Sequence, residues 1–166
     1  MSEGTAELPA PPAVLRDTLA GDAEFLYRVY AGTRAEELAM TNWSAEQKEQ
    51  FCRMQFQAQT TDYRANYPQA RHSIIEREGT PVGRLIIERK EREICIIDIA
   101  ILPEARGGGI GTHFLRELME ETAAASKALR IHVEKFNRAL RLYLRLGFQP
   151  IEDKGIYLLM EWKALS

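Results

Sequence analysis

The sequence predicts a mixed α/β domain, one layer of sheet with helices packed against its faces. Three observations predict it. Helical and strand periodicities succeed one another along the chain. The run Ile94 to Ile101 is almost wholly apolar, as a central strand buried on both faces would be. A glycine-rich turn and an amphipathic helix follow it directly, a strand–turn–helix layout typical of α/β proteins. A chain of 166 residues suits one domain with a substantial core.

Taken in order, residues 1–12 contain Pro9, Pro11 and Pro12 and are expected to form a flexible leader. Ala13 to Asp22 reads as a short strand followed by a loop. Ala23 to Leu38 is expected to be a helix, because Phe25, Leu26, Val29 and Tyr30 fall at near-helical spacing. Asn42 to Pro68 opens a second helix. Ser44 is its candidate N-cap, with Gln47 three residues on, as a capping box requires. Phe51, Met54, Gln55 and Ala58 are expected to continue one face, and Pro68 ends the helix. Ser73 to Arg77 and Val82 to Glu88 read as strands joined by a hairpin-like turn, Glu78-Gly79-Thr80-Pro81. After the Ile94–Ile101 strand, Ile110, Phe114, Leu115, Leu118 and Met119 make a helical stripe. Leu129 to Phe136 is a strand, Asn137 to Phe148 a short helix stopped by Gly147, and Ile156 to Trp162 a final strand.

Composition narrows the function. The chain is 45% hydrophobic and 28% charged, with net charge -2, which argues against a strongly basic nucleic-acid binder. No apolar run approaches the ~20 residues of a membrane helix, and no signal peptide is evident at the N-terminus. A cytoplasmic protein is expected. The two cysteines, Cys52 and Cys95, have no metal-like spacing, so reduced thiols without a metal are the simplest reading.

The most informative stretch is Pro103 to Glu121, where Gly107, Gly108, Gly109 and Gly111 stand at the entrance of a helix. Such a turn presents bare backbone N–H groups, and the helix adds its positive dipole end. Together these favour an anion such as a phosphate. Glycine permits positive φ and lets an anion approach without meeting a Cβ, and Arg106 adds a cation. The phosphate loop of nucleotide hydrolases is excluded, because Gly111 is followed by Thr112 and His113 rather than Lys-Ser/Thr. The G-x-G-x-x-G pattern fails too: from Gly107 it meets Thr112, and from Gly109 it meets Phe114.

The pattern that fits is Arg-x-x-Gly-x-Gly at Arg106, Gly109 and Gly111. With Ile99-Ala100-Ile101-Leu102-Pro103-Glu104 before it and Tyr143 to Phe148 near the C-terminus, the chain closely resembles the GNAT superfamily of N-acetyltransferases over roughly Ser73 to Trp162. The resemblance implies a single domain with a mostly antiparallel central sheet of about six to seven strands and helices on both faces. It implies acetyl-CoA as acyl donor. The backbone of Arg106, Gly107, Gly108, Gly109, Ile110 and Gly111, with Thr112 nearby, would wrap the pyrophosphate. Ile99 and Ile101 would offer their backbone to the pantetheine arm. Residues 71–166 would form the coenzyme-binding core, and the helices within 13–70 would cover the acceptor.

The chemistry then needs a neutral amine, a thioester held beside it and a proton for the departing thiolate; proximity alone supplies several kcal/mol. The family places its acid at the tyrosine of the Tyr-x-x-x-Gly-Phe pattern, here Tyr143. Its phenol, with a reference pKa near 10 against about 8.5 for a thiol, can hydrogen-bond the developing charge. Asn137 is a candidate coenzyme contact, with helix capping of equal weight, since it precedes Tyr143 by one residue less than in the commonest family spacing. Asp98, inside an apolar strand, is the candidate base; the bland alternative is an ion pair, with Arg84 the candidate partner. By strand alternation it should share a face with Ile96 and Ala100. His132 and Glu134 share a face of the next strand and are further proton-relay candidates.

Other features point less sharply. Both cysteines read as packing. Arg138, Arg141 and Arg145 make a basic stripe, either a solvated face or a site for the 3′-phosphate. Trp43 and Tyr157 are core or acceptor-site aromatics. Ten acidic side chains against six basic ones in residues 1–70 suit an amine, whether small molecule, peptide N-terminus or protein lysine. The leading expectation is an N-acetyltransferase working through a ternary complex. A non-catalytic acyl-CoA sensor is the alternative, and exposed strand edges at the C-terminus leave a homodimer open.

Overall fold

The structure is a computed structural model, and it describes residues 13–165; the expected leader, 1–12, lies outside the described residues. Its core is one seven-stranded sheet in the order β1-β2-β3-β4-β5-β7-β6. β1 (Val14–Asp17), β2 (Arg71–Arg77), β3 (Thr80–Arg89) and β4 (Glu93–Ile101) form one antiparallel half. β5 (Ala128–Glu134), β7 (Tyr157–Trp162) and the edge strand β6 (Gln149–Asp153) form the other. The halves meet at a parallel pair, β4 with β5.

α1 (Ala23–Ala39) and α2 (Ala45–Asn66) lie against one face of the sheet; α3 (Ile110–Ala124) and α4 (Leu140–Leu146) cover the other. The main core lies under α3, where Ile110, Phe114, Leu115 and Leu118 meet Ile94, Ile96, Leu129 and Ile131. On the opposite face Val29 of α1 packs on Ala100 and Leu102, while Tyr27, Tyr30, Leu38 and Cys52 close the α1–α2 seam. α2 starts as its sequence dictates: Gln47 N–H donates to Ser44 Oγ at 3.1 Å, and Ser44 N–H to Gln47 Oε1 at 2.9 Å. The β2–β3 hairpin is tighter than expected. Glu78 (φ 52°) and Gly79 (φ 78°) make a two-residue turn, so β3 starts at Thr80.

Four expectations need correction. β6 had no sequence signal: all five of its residues are exposed, so it has no buried face and no alternation, and Pro150 and a bulge break its pairing. The inward face of α2 carries Cys52 and Phe56, not Met54, which is 59% exposed; α2 packs mainly on α1. The last helix begins at Leu140 rather than Asn137. β4 is central but not buried on both faces. Its register against β3 slips between Ile86 and Ile87, opposite Asp98 and Ile96. The bulged residue, Ile97, puts Asp98 and Ile96 on opposite faces.

The Tyr143 ring rests edge-on against Phe148, centroids 5.7 Å apart, and Phe148 is 1% exposed. Phe148→Ala should therefore cost about 3–5 kcal/mol, read as a lower urea midpoint at constant m-value.

Candidate active site

The bulge creates the site. β4 and β5 pair only from Glu93–Ala128 to Ile96–Ile131. Beyond Ile97 they diverge, and a cleft of about 1290 Å³ opens between them, running from the α2 side of the sheet to the mouth of α3. Ile99 and Ile101 turn their side chains into the α3-side core, so their backbone lines the cleft.

At the mouth, Gly107 and Gly109 both adopt φ 82°, a conformation strained for any residue with a Cβ. Gly109 is the N-cap of α3, and the first helical hydrogen bond runs from His113 N–H to Gly109 O at 2.9 Å. The N–H groups of Ile110, Gly111 and Thr112 thus have no intrahelical acceptor. Gly111 is different from Gly107 and Gly109. It is helical, and a Cβ there would meet no protein atom within 4 Å. Neither backbone strain nor packing requires a glycine at this place, which leaves room for a ligand to approach the helix end. Arg106 acts as a tie: its guanidinium donates to Ile101 O (3.1 Å) and Gly32 O (3.3 Å), and its own N–H to Pro103 O (3.3 Å).

Tyr143 lines the cleft from α4 and is 4% exposed. Burial pushes its phenol up, and the Asp98 carboxylate adds to the shift, so the neutral phenol is favoured. Asp98 has Arg84 as its ion-pair partner: Arg84 Nε donates to Asp98 Oδ2 at 2.8 Å, and Arg84 also donates to Gln59 of α2. Asn137 lies before α4, where its Oδ1 accepts from Ala139 N–H at 2.8 Å; it closes a local turn and lines the cleft. His132 contacts Lys154 at 3.1 Å, and burial, then Lys154, pushes its pKa down. Cys95 faces the cleft, but burial and then Glu93 push its thiol up to about 11, which keeps it protonated and unreactive. Cys52 is buried in the α1–α2 seam.

Several cleft residues belong to no motif of the sequence. Gln59, Tyr63 and Tyr67 line the cleft from α2 and its end. Their i, i+4, i+8 spacing is one helical face, legible only once polar residues are allowed in a buried stripe. Arg34 of α1 is another. The acidic excess of residues 1–70 reaches the cleft in part, through Glu36, Glu37 and Asp62. Asp22 pairs with Arg16, and Glu24 and Glu49 with Arg53, away from it. Trp43 packs on Phe51 at 5.3 Å and Tyr157 lines the cleft. Arg138 of the basic stripe is paired with Glu36.

The family model described as the acetyltransferase (GNAT) domain matches residues 68–150, half of the chain. The chain belongs to the GNAT acetyltransferase family. Solved GNAT structures share its fold. The PaiA N-acetyltransferase of Thermoplasma acidophilum, in complex with coenzyme A, superposes with a TM-score of 0.69 at 18% identity, covering 92% of this chain and 99% of that one. An acetyltransferase from Thermus thermophilus gives 0.65 at 18%, covering 92% and 97%. The ribosomal-protein-S18-alanine N-acetyltransferase of Escherichia coli gives 0.62 at 16%, covering 91% and 93%. Comparison with curated protein sequences finds no match. Among the described residues of this GNAT chain, no helix is long and apolar enough to cross a membrane.

Gly111→Ala separates fold from ligand. The variant should be more stable by about 0.5–1 kcal/mol, read by chemical unfolding, yet bind coenzyme A more weakly by calorimetry. Unchanged affinity would show that nothing approaches that face.

Proposed function

We propose that the protein transfers an acetyl group from acetyl-CoA to a primary amine by direct attack within a ternary complex. The observation that carries this is the meeting in one cleft of unpaired amides at the α3 mouth, the freed β4 backbone and the Tyr143 phenol. The residues present fit the coenzyme: the amides from Gly107 to Thr112 would hold its pyrophosphate, Ile99 and Ile101 its pantetheine arm, and Asn137 would add a contact. Residues 71–166 would then be the coenzyme-binding core and α1 and α2 the acceptor side. Acetyl-CoA supplies the activated thioester.

On this reading Tyr143 hydrogen-bonds the sulfur as it takes on charge. The raised phenol pKa keeps the proton on Tyr143 at neutral pH, and it widens the reference gap of about 1.5 units to a thiol. Tyr143 therefore acts mainly by hydrogen-bonding the developing thiolate, and delivers the proton as the product leaves. Asp98 is the carboxylate we assign to the proton shed by the amine, directly or through water. The acceptor is a small-molecule, peptide or protein amine; one structural neighbour is described as acetylating an alanine of a ribosomal protein. The two free thiols suit a reducing compartment such as the cytoplasm. A homodimer through the C-terminal sheet edge would have to form despite Pro150 and the β6 bulge.

Tyr143→Phe should lower turnover by about 10²-fold or more while the KM for acetyl-CoA and the unfolding midpoint stay close to wild type. Release of free thiol from acetyl-CoA across a panel of amines is the assay. Unchanged turnover would remove Tyr143 from the mechanism, and coenzyme binding without thiol release for any amine would favour a sensor.

A further inference from the structure

We infer that Glu134 is the carboxylate on which the acceptor's ammonium group docks, and that Arg34 fills that place until the acceptor arrives. The inference rests on the amine-acetyltransferase reading above.

Glu134 is the last residue of β5, in the diverged part of the sheet, and its carboxylate lines the cleft. Two groups reach it from other walls: Arg34 Nη2 of α1 at 3.4 Å and the Tyr157 hydroxyl of β7 at 3.5 Å. Charge-assisted hydrogen bonds usually close to about 2.7–2.9 Å, as Arg84–Asp98 (2.8 Å) and Arg130–Glu161 (2.7 Å) do in this chain. Arg34 is held loosely on its own helix as well, at 3.2 Å from Glu37 and 3.4 Å from the Tyr30 hydroxyl. It is a cation shared among three distant acceptors and gripped by none.

Most of the other cleft carboxylates have a partner besides Arg34; Glu37, whose contact is Arg34 at 3.2 Å, is 65% exposed. Asp98 is taken by Arg84, Glu36 by Arg138, Glu93 by Arg130 at 3.1 Å, and Asp62 accepts the Asn66 amide. Glu134 differs from the exposed Glu37 and Asp62 in being partly buried, and it is held only through contacts of 3.4 and 3.5 Å. Arg34 and Glu134 are both partly exposed (27% and 32%), so their pair contributes little to stability. Parting them orphans neither charge. Arg34 keeps Glu37 and Tyr30, and Glu134 keeps the Tyr157 hydroxyl. An alkylammonium entering the cleft, which Tyr157 also lines, would exchange with the guanidinium at Glu134. The ligand class is a primary alkylammonium, and Arg34 sets the threshold it must overcome.

The test uses the whole chain, acetyl-CoA and n-butylamine, with Arg34→Gln, Glu134→Gln and the double variant, each checked for folding by thermal unfolding. Arg34→Gln should lower the amine KM about two- to five-fold. Glu134→Gln should raise it about ten-fold or more. The double variant should match Glu134→Gln, because the placeholder has no partner left to occupy. The KM for acetyl-CoA should not move in any of them. A higher amine KM in Arg34→Gln, or independent multiplication of the two effects, would overturn the inference. A second readout does not depend on turnover or on the variants' folding. The Arg34 Nε resonance of the wild-type protein should shift saturably with n-butylammonium chloride at constant ionic strength. No shift would overturn the docking role. A clear shift without thiol release would instead contradict the acetyltransferase reading and leave the docking site standing.

Discussion

The site depends on one irregularity, the extra residue Ile97 in β4. A regular parallel pair would carry β4 and β5 side by side to their ends, and their backbone groups would satisfy one another. The bulge ends the pairing at Ile96 and Ile131, reverses which side chains face which layer, and aims the rest of β4 away from β5. Backbone groups of the diverged segment are then left beside a cavity rather than a neighbouring strand. The same reversal brings Ile99 and Ile101 into the α3-side core and takes Asp98 to the opposite face, against Arg84. Sheet cohesion is surrendered locally, and a cleft with a polar lining is what the fold gains.

Around that opening, each wall comes from a different part of the chain. α3 contributes a helix end with unpaired amides and the positive end of a dipole. α4 contributes a buried phenol whose neutral form is favoured. α1 and α2 contribute aromatic and ionic groups that reach the cleft without closing it. Arg106 ties these parts together, since one guanidinium holds the end of β4 and the carbonyl of Gly32 in α1. Its charge is near the α3 mouth, but its contacts are those of a brace.

Much of this was legible in the residues. The glycines with Arg106 announced the helix mouth, Ser44 and Gln47 the start of α2, and the Tyr143–Phe148 pattern the phenol and its packing partner. What was not legible has physical reasons. A bulge leaves no mark in a run where every neighbour is apolar, so Ile94 to Ile101 read as an uninterrupted strand. An edge strand with five exposed residues has no period to detect. The stripe of α2 facing the cleft is Gln59 and Tyr63 rather than leucines, and polarity hid it. The ion pairs across the cleft join residues about a hundred positions apart, which no local pattern can pair.

The central claim is that unpaired amides at the α3 mouth, together with the diverged segment of β4, hold the coenzyme. Amide hydrogen exchange, followed residue by residue with and without saturating acetyl-CoA, tests it most directly. The amides of Gly107 to Thr112 should exchange fast in the free protein, since no acceptor protects them, and should slow sharply with the coenzyme bound, together with those of Ile99 and Ile101. Unchanged exchange at both segments under saturation, or protection confined to another surface, would contradict the account.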